Sequence, residues 1–86
     1  MNQILWSKKA ERQLEKVPAD YRAKIIIKTR ELKIYPDCAA DIKQLQGQSE
    51  KRLRVGRYRV IFNHEVEIKI IRIEEVKKRD DRTYKH

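Results

Sequence analysis

The feature that most restricts the fold is a stretch near the middle of the chain in which apolar and basic residues alternate. It reads KRLRVGRYRVIF over residues 51–62, and Gly56-Arg57 interrupts the alternation. A period of two is typical of a strand with one buried face. Glycine at the first position of a two-residue loop fits a type II′ turn. The sequence therefore predicts a β-hairpin with strands at residues 51–55 and 58–63.

The position of this loop determines which residues face each other across the hairpin. The expected pairs are Val55 with Tyr58, Arg54 with Arg59, Leu53 with Val60 and Arg52 with Ile61. Side chains alternate between the two faces of a strand. One face therefore carries apolar residues that pack on the rest of the domain, and the other carries Arg52, Arg54 and Arg59. Like charges directly opposite each other destabilise a sheet, and a bound anion would relieve that cost.

A solvated sheet face with acidic neighbours would also account for three arginines. The charge imbalance extends further, however, because residues 51–86 contain 12 Lys and Arg against 6 Asp and Glu. The whole chain has 86 residues and a net charge of +9. A small, basic, folded domain is typical of proteins that bind a polyanion. We therefore favour an anion-binding face.

The N-terminal part of the chain predicts a short strand and two helices. Residues 3–6 predict the strand, and Ser7 suits the N-cap of a helix that ends near residue 16. Pro18 suits the first turn of a second helix, which we expect over residues 19–34.

The second predicted helix is apolar on two sides. Its first side carries Tyr21, Ile25 and Leu32, and the opposite side carries Ala23, Ile26, Ile27 and Ile34. A helix of this kind usually packs between two layers, and we favour burial of both sides. The alternative is that one side binds a partner.

The remaining segments predict a loop, one more strand and a tail. Residues 37–50 predict the loop, with a short extended piece at residues 42–45. A turn near His64-Glu65 leads to a strand over residues 66–74, and this turn holds His64 away from the arginines. Residues 76–86 predict a polar and basic tail.

Composition excludes several classes of site. A single cysteine, Cys38, excludes an internal disulfide and a multi-cysteine zinc site. No P-loop, GxGxxG or HExxH motif occurs. No apolar run approaches the ~20 residues needed to cross a bilayer, and the first residues lack the apolar run of a signal peptide. We expect a cytoplasmic protein without cofactor or metal.

The tail supplies side chains that could complete a site for phosphodiester chemistry. It contains Lys77, Lys78, Arg79, Arg82, Tyr84 and His86. Attack by a 2′-hydroxyl on the adjacent phosphate needs proton removal, charge stabilisation and protonation of the leaving oxygen. Cations aimed at the developing charge supply the second requirement. Tyr84 suits stacking on an RNA base and equally suits packing on the core.

Proton transfer is the requirement that the arginines meet least well. An arginine side chain keeps its proton at neutral pH and is a poor general base. The other candidates, each of which needs an environment that shifts its proton affinity, are Lys51, Lys77, Lys78, Tyr84 and His86. The general base therefore stays unassigned.

The order of these elements and the hairpin resemble the RelE/ParE family of toxin–antitoxin toxins. Residues 51–62 resemble the RLRVGDYRVIY-type hairpin of that family. The stretch IKIIRIEEVKKRDDRTY, residues 68–84, resembles the strand and Arg-rich end that follow, and SKKAERQLEKVP resembles the first helix. The resemblance implies an α+β fold for a single domain, residues 1–86, with two helices packed on a curved, mostly antiparallel sheet in the order β-α-α-β-β-β.

RelE-like members of the family are ribosome-dependent endoribonucleases that cut mRNA in the ribosomal A site. By resemblance, the catalytic residues are Arg54, Arg59, Arg79 and Tyr84. The further RNA-binding residues are Lys51, Arg52, Arg57, Lys77, Lys78, Arg82 and His86. Lys78 is an alternative to Arg79 at the end of the last strand. Hairpin positions that are Lys in some active relatives are Arg here, which leaves the general base open.

The expected function is therefore that of a toxin that cuts translated mRNA without a metal. Its expected partners are the ribosome, mRNA and an acidic or amphipathic segment of a cognate antitoxin. Two alternatives remain open. One is a ParE-like inhibitor of DNA gyrase built on the same scaffold, and the other is a catalytically silent RNA-binding module.

Overall fold

Five strands form one sheet, and two helices pack against one of its faces in the computed structural model, which describes residues 1–38, 40–45, 47 and 49–78. The elements are β1 (Gln3–Trp6), α1 (Lys8–Glu15), α2 (Ala19–Arg30), β2 (Ile42–Gln44), β3 (Lys51–Val55), β4 (Tyr58–Glu65) and β5 (Ile70–Lys78). The strand order is β1-β5-β4-β3-β2. Only the β1–β5 pair is parallel among these strands. The expected α+β fold is confirmed, and the short extended piece expected at residues 42–45 forms a further strand, β2, which the predicted order β-α-α-β-β-β did not include.

The central hairpin has the predicted register. β3 and β4 pair Val55 with Tyr58, Arg54 with Arg59, Leu53 with Val60 and Arg52 with Ile61. Gly56 has a φ of 58°, whereas Arg57 does not have a positive φ, which fits a type II′ turn. A Cβ at Gly56 would lie 3.1 Å from Cε1 of Tyr21. Glycine is therefore suited both to the turn conformation and to the close approach of α2.

The core lies between the helices and the apolar face of the hairpin. Its fully buried residues include Ala10, Ile25, Leu32, Leu53, Val60, Phe62, Ile71 and Ile73. Each large apolar side chain of this kind contributes about 1.5–3 kcal/mol when it leaves water. Because side chains alternate along the strands, burial of this face places the hairpin arginines on the opposite one.

Ser7 caps α1, as predicted, and also ties this helix to β5. Its Oγ accepts a hydrogen bond from the Ala10 N–H at 3.0 Å and donates one to the Glu74 carbonyl at 3.0 Å. Further along α1, Oε1 of Gln13 accepts a hydrogen bond from the Val76 N–H at 2.7 Å. β1 pairs with β5 only as far as Ile73, and these contacts from α1 take over the hydrogen bonding of β5 at Glu74 and Val76.

α2 is shorter than the predicted helix and buries only one of its two apolar sides. It ends at Arg30 and is followed by a short 3₁₀ turn. Ile25 is fully buried, whereas Ile27 is 58% exposed and Ile34 is 51% exposed. Burial of both sides, our preferred interpretation, is therefore wrong. The described residues form two layers rather than three, so the second side of the helix has no layer to pack against.

β4 is longer than predicted and contains His64. The strand extends to Glu65, although a turn was expected near His64-Glu65. Asn63, His64 and Glu65 are all polar, so this segment lacked the alternation that identifies a strand. The His64 ring packs edge-on against Tyr35, with centroids 5.1 Å apart, and its Nε2 lies 3.3 Å from Oδ1 of Asn2.

β5 begins and ends later than predicted. It spans Ile70–Lys78 instead of residues 66–74, and the preceding turn occupies residues 66–69. Lys77 and Lys78, which were expected in the tail, therefore lie on a strand. The extra strand length is stabilised by α1, a contact between distant parts of the sequence that the local pattern does not reveal.

His64 should make the stability of the domain depend on pH. Burial, and then the charge of Lys51, hold the pKa of His64 below its usual value. The unfolded chain therefore binds this proton more readily than the folded chain does. The neutral ring contributes its full stability above a pH of about 6.5, and this contribution is lost as the pH falls through the lowered pKa. We expect the thermal unfolding midpoint to decrease as the pH is lowered from about 7.5 to 5, and to decrease less in His64→Gln.

His86→Gln is the matched control, because it removes the other histidine of the chain. That variant should keep the decline of the wild type. An unchanged decline in His64→Gln would show that another group is responsible.

Candidate nucleic-acid interface

The sheet face opposite the helices, called the open face below, carries three basic residues in one row. Arg54 of β3 lies opposite Arg59 of β4, which lies opposite Lys77 of β5. Adjacent strands are about 4.8 Å apart, so these three cations lie side by side. Arg54 and Lys77 are exposed and Arg59 is half-buried. We call Arg54, Arg59 and Lys77 the cation row.

Arg52 continues the basic surface toward the edge of the sheet. It lies between Lys43 of β2 and Ile61 of β4. Nε of Arg52 is buried and has no hydrogen-bond acceptor among the residues that the structure describes. A buried donor without an acceptor is destabilising. Arg52 therefore does not stabilise the fold through an ion pair at this nitrogen.

The arginines of the open face are not neutralised by nearby acids. Among the described residues, Arg52, Arg54 and Arg59 make no ion pair. Glu75 contacts Lys77 of the cation row at 3.4 Å, and it also contacts Lys9 at 2.6 Å. The hydrogen bond from Lys9 is the main cause that lowers the pKa of Glu75. This arrangement favours an anion-binding face over a face balanced by acidic neighbours.

A β-bulge in β5 places two consecutive acids beside each other. Ile61 pairs with Glu75 and Phe62 pairs with Ile73, so Glu74 is an extra residue on its strand. Both glutamates are half-buried, whereas Ile73 is fully buried. Bulges redirect side chains and are common beside functional sites. Here the bulge directs Glu75 to two lysines and Glu74 to Asn63, whose Nδ2 donates to Oε2 of Glu74 at 3.1 Å.

A polar pocket of about 570 Å³ lies further along the strands. The residues that line it include Lys51, Asn63, Glu65, Arg72 and Glu74. Asn63 lies on the same face of β4 as Arg59 and four residues further along. At about 3.3 Å per residue this separation is about 13 Å. We call this cavity the polar pocket.

The structure brings together only part of the predicted site. Arg52, Arg54, Arg59 and Lys77 share the open face. Arg57 lies in the hairpin turn, Lys51 lines the polar pocket, and Lys78 pairs with Tyr58 on the helix side. Arg79, Arg82, Tyr84 and His86 lie outside the described residues. Their roles, like those of the other site residues, stay predictions.

Three residues near this interface were missed from the sequence. Lys9 reaches Glu75 from α1, and no local pattern connects these two segments. Lys43 lies on the short strand β2, whose pairing with β3 depends on the loop between them. The sequence did contain a signal for Glu75. The two consecutive acids Glu74-Glu75 stand between apolar residues and interrupt the alternation, which is typical of a β-bulge.

Within the part of the chain that the structure describes, no group of three or more His, Cys, Asp or Glu side chains could hold a metal ion. No helix of that part is long and apolar enough to cross a membrane.

No protein-family model and no curated protein matches the chain. Solved structures do match it. The archaeal RelE–RelB complex from Pyrococcus horikoshii OT3 matches with a TM-score of 0.80 at 24% identity, over 93% of this chain and 97% of that chain. The isolated E. coli RelE toxin matches with a TM-score of 0.78 at 17% identity, over 93% of this chain and 86% of that one.

A third structure is the RelB–RelE antitoxin–toxin complex from Methanococcus jannaschii. It has a TM-score of 0.73 at 25% identity, over 86% of this chain and 88% of that chain. These likenesses extend over nearly the whole of the chains compared. They confirm the resemblance noted in the sequence, and the chain has the α+β fold of the RelE toxins.

Proposed function

We propose that this chain is the toxin of a toxin–antitoxin pair and that it cleaves mRNA on the ribosome. The observation that carries the proposal is the cation row, in which Arg54 and Arg59 lie side by side without an acidic partner among the described residues. The fold shared with the isolated E. coli RelE toxin supports the same function.

The cation row suits the charge that develops during cleavage of a phosphodiester. The RNA 2′-oxygen forms a bond to phosphorus while the bond from phosphorus to the 5′-oxygen breaks, which leaves a 2′,3′-cyclic phosphate and a 5′-hydroxyl. Extra negative charge gathers on the phosphate oxygens between these two events. Fixed cations that face those oxygens stabilise the transition state more than the ground state. Arg54, Arg59 and Lys77 would provide them.

Proton transfer would fall to other groups. The 2′-hydroxyl must lose a proton and the 5′-oxygen must gain one, and an arginine side chain exchanges protons poorly near neutral pH. Lys77 is the lysine of the cation row, and the contact of its Nζ with Glu75 keeps it beside Arg59. Tyr84 and His86 remain the other candidates from the sequence.

The need for a ribosome follows from the shape of this surface. Among the described residues, the cation row lies on a sheet face rather than in an enclosed cleft, and phosphate contacts alone do not fix which bond is aligned for attack. Alignment of reacting groups is worth several kcal/mol. A ribosome that holds the message in its decoding site would supply this alignment.

Arg54→Ala and Arg59→Ala should each reduce mRNA cleavage by about 100-fold, because each removes one cation that stabilises the transition state. The thermal unfolding midpoint should stay close to that of the wild type, since neither side chain contributes to the core. Arg30→Ala, an exposed arginine on α2, is the matched control and should retain full cleavage. Full cleavage by a folded Arg54 or Arg59 variant would mean that the catalytic face is assigned wrongly.

A translated message should be cut much faster than the same message without translation. The measurement is primer extension on one mRNA, with and without a functional ribosome-binding site, at equal protein concentration. Equal cleavage of both would remove the ribosome from the mechanism. Inhibition of gyrase supercoiling without RNA cleavage would identify the ParE-like alternative, and RNA affinity without either activity would identify a silent binding module.

The exposed apolar side of α2, which carries Ile27, should bind the cognate antitoxin. Ile27→Glu should weaken that complex by at least about 10-fold, because a buried isoleucine contributes about 1.5–3 kcal/mol. Val66→Glu is the control, since Val66 is 69% exposed and lies in the β4–β5 turn. The association rate should fall as salt rises, because the chain carries a net charge of +9. Equal loss of affinity in both variants would count against this binding surface.

A further inference from the structure

The polar pocket contains an acid that the anion-binding function does not explain. Glu74 is half-buried, and among the described residues its carboxylate accepts one side-chain hydrogen bond, from Asn63, and makes no ion pair. An ionised carboxylate accepts about four hydrogen bonds, so Glu74 can accept further hydrogen bonds from a ligand. A carboxylate also repels a phosphate. This part of the open face therefore suits a group that donates hydrogen bonds.

Three hydrogen bonds keep the side chains of the pocket in place. Oδ1 of Asn63 accepts a hydrogen bond from Oγ of Ser49 at 3.4 Å, and its Nδ2 donates to Glu74 at 3.1 Å. Nε of Arg72 donates to Oε2 of Glu65 at 2.9 Å. The bonds of Asn63 hold the carboxylate of Glu74 beside the cavity. The bond between Arg72 and Glu65 holds a planar guanidinium at the same cavity, and a guanidinium plane is a surface on which a nucleobase stacks.

The position of the pocket relates it to the cation row. Asn63 lies about 13 Å along β4 from Arg59, on the same face of the sheet. A strand whose phosphate lies on the cation row would therefore extend over the pocket with a neighbouring nucleotide. A cavity of about 570 Å³ is in the range that holds small organic ligands. One nucleobase is a suitable occupant.

The chemistry of Glu74 discriminates between the bases. Adenine, cytosine and guanine each carry an exocyclic amino group that donates hydrogen bonds. Uracil has a carbonyl oxygen at the position of the cytosine amino group, and that oxygen would face the carboxylate without a proton between them. Recognition of an amino group therefore disfavours uracil.

We propose that the polar pocket binds one nucleobase of the RNA strand held by the cation row, and that Glu74 selects a base that carries an amino group. The inference rests on the proposed function, because it takes RNA as the ligand of the cation row. Glu74 and Asn63 are specificity-determining residues in this arrangement, and Arg72 provides the stacking surface. The bulge in β5 is the backbone feature that directs Glu74 into this role.

The test is an NMR titration of the ¹⁵N-labelled full chain with cytidine 5′-monophosphate and with uridine 5′-monophosphate. The two probes share sugar and phosphate and differ at the amino group. We expect the Asn63 side-chain amide signals to shift on addition of the cytidine nucleotide, with an affinity about 10-fold above that for the uridine nucleotide. Glu74→Gln should reduce this ratio to less than about 2-fold. Glu67→Gln, which removes the same charge from the exposed β4–β5 turn, should retain it.

Two outcomes overturn the inference: equal affinity of the wild type for both nucleotides, and an unchanged ratio in a folded Glu74→Gln variant. Arg54→Ala should leave the ratio of the two affinities unchanged, which separates phosphate binding from base selection. The translated-message experiment separates the two proposals. Nucleotide selection without cleavage of any message would leave the pocket in place and refute the proposed function. Cleavage without nucleotide selection would refute the pocket alone.

Discussion

Burial of one face of the central hairpin is the constraint on which the rest of this structure depends. Leu53, Val60 and Phe62 are fully buried against the helices. Because side chains alternate along a strand, the same burial brings Arg54 and Arg59 together on the open face. Repulsion between these two charges destabilises the domain by less than burial of the apolar core stabilises it. The fold therefore tolerates a concentrated positive charge to which an anionic ligand can bind.

The bulge in β5 adds a second level of organisation to the open face. Without an extra residue, strict alternation would send Glu74 and Glu75 to opposite faces. The bulge keeps both off the core, with Glu75 beside Lys77 of the cation row and Glu74 beside Asn63. The hydroxyl of Ser7 donates to the carbonyl of Glu74 and so ties the bulge to the start of α1. Contact with α1, which is distant in sequence, thus helps to keep Glu75 at the cation row and Glu74 at the polar pocket.

The two layers of the domain offer separate surfaces for separate partners. The open face of the sheet presents charge, and the outer side of α2, with the 3₁₀ turn that follows it, presents exposed Ile27 and Ile34. In the proposed function, RNA binds the first surface and an antitoxin segment binds the second. A small domain can hold both sites because, in the part of the chain that the structure describes, helices cover the sheet on one side only.

Local sequence patterns determined the elements whose signals are contained within a few residues. The alternation around Gly56 specified the hairpin register, the type II′ turn and the face that carries Arg52, Arg54 and Arg59. Ser7 identified the start of α1. Each of these features depends on backbone conformation and on side-chain alternation, which act over neighbouring residues. The resemblance to RelE toxins rested on the same hairpin, and the fold confirms it.

Tertiary structure decided what depends on contacts between distant segments. Support from α1 extends β5 to Lys78, so Lys77 joins Arg54 and Arg59 in one row. The register shift opposite Ile61 positions Glu74 and Glu75, and Lys9 reaches Glu75 only because α1 packs beside β5. The absence of a third layer among the described residues leaves Ile27 exposed. These outcomes depend on packing between elements far apart in the chain, and local propensity carries no information about such packing.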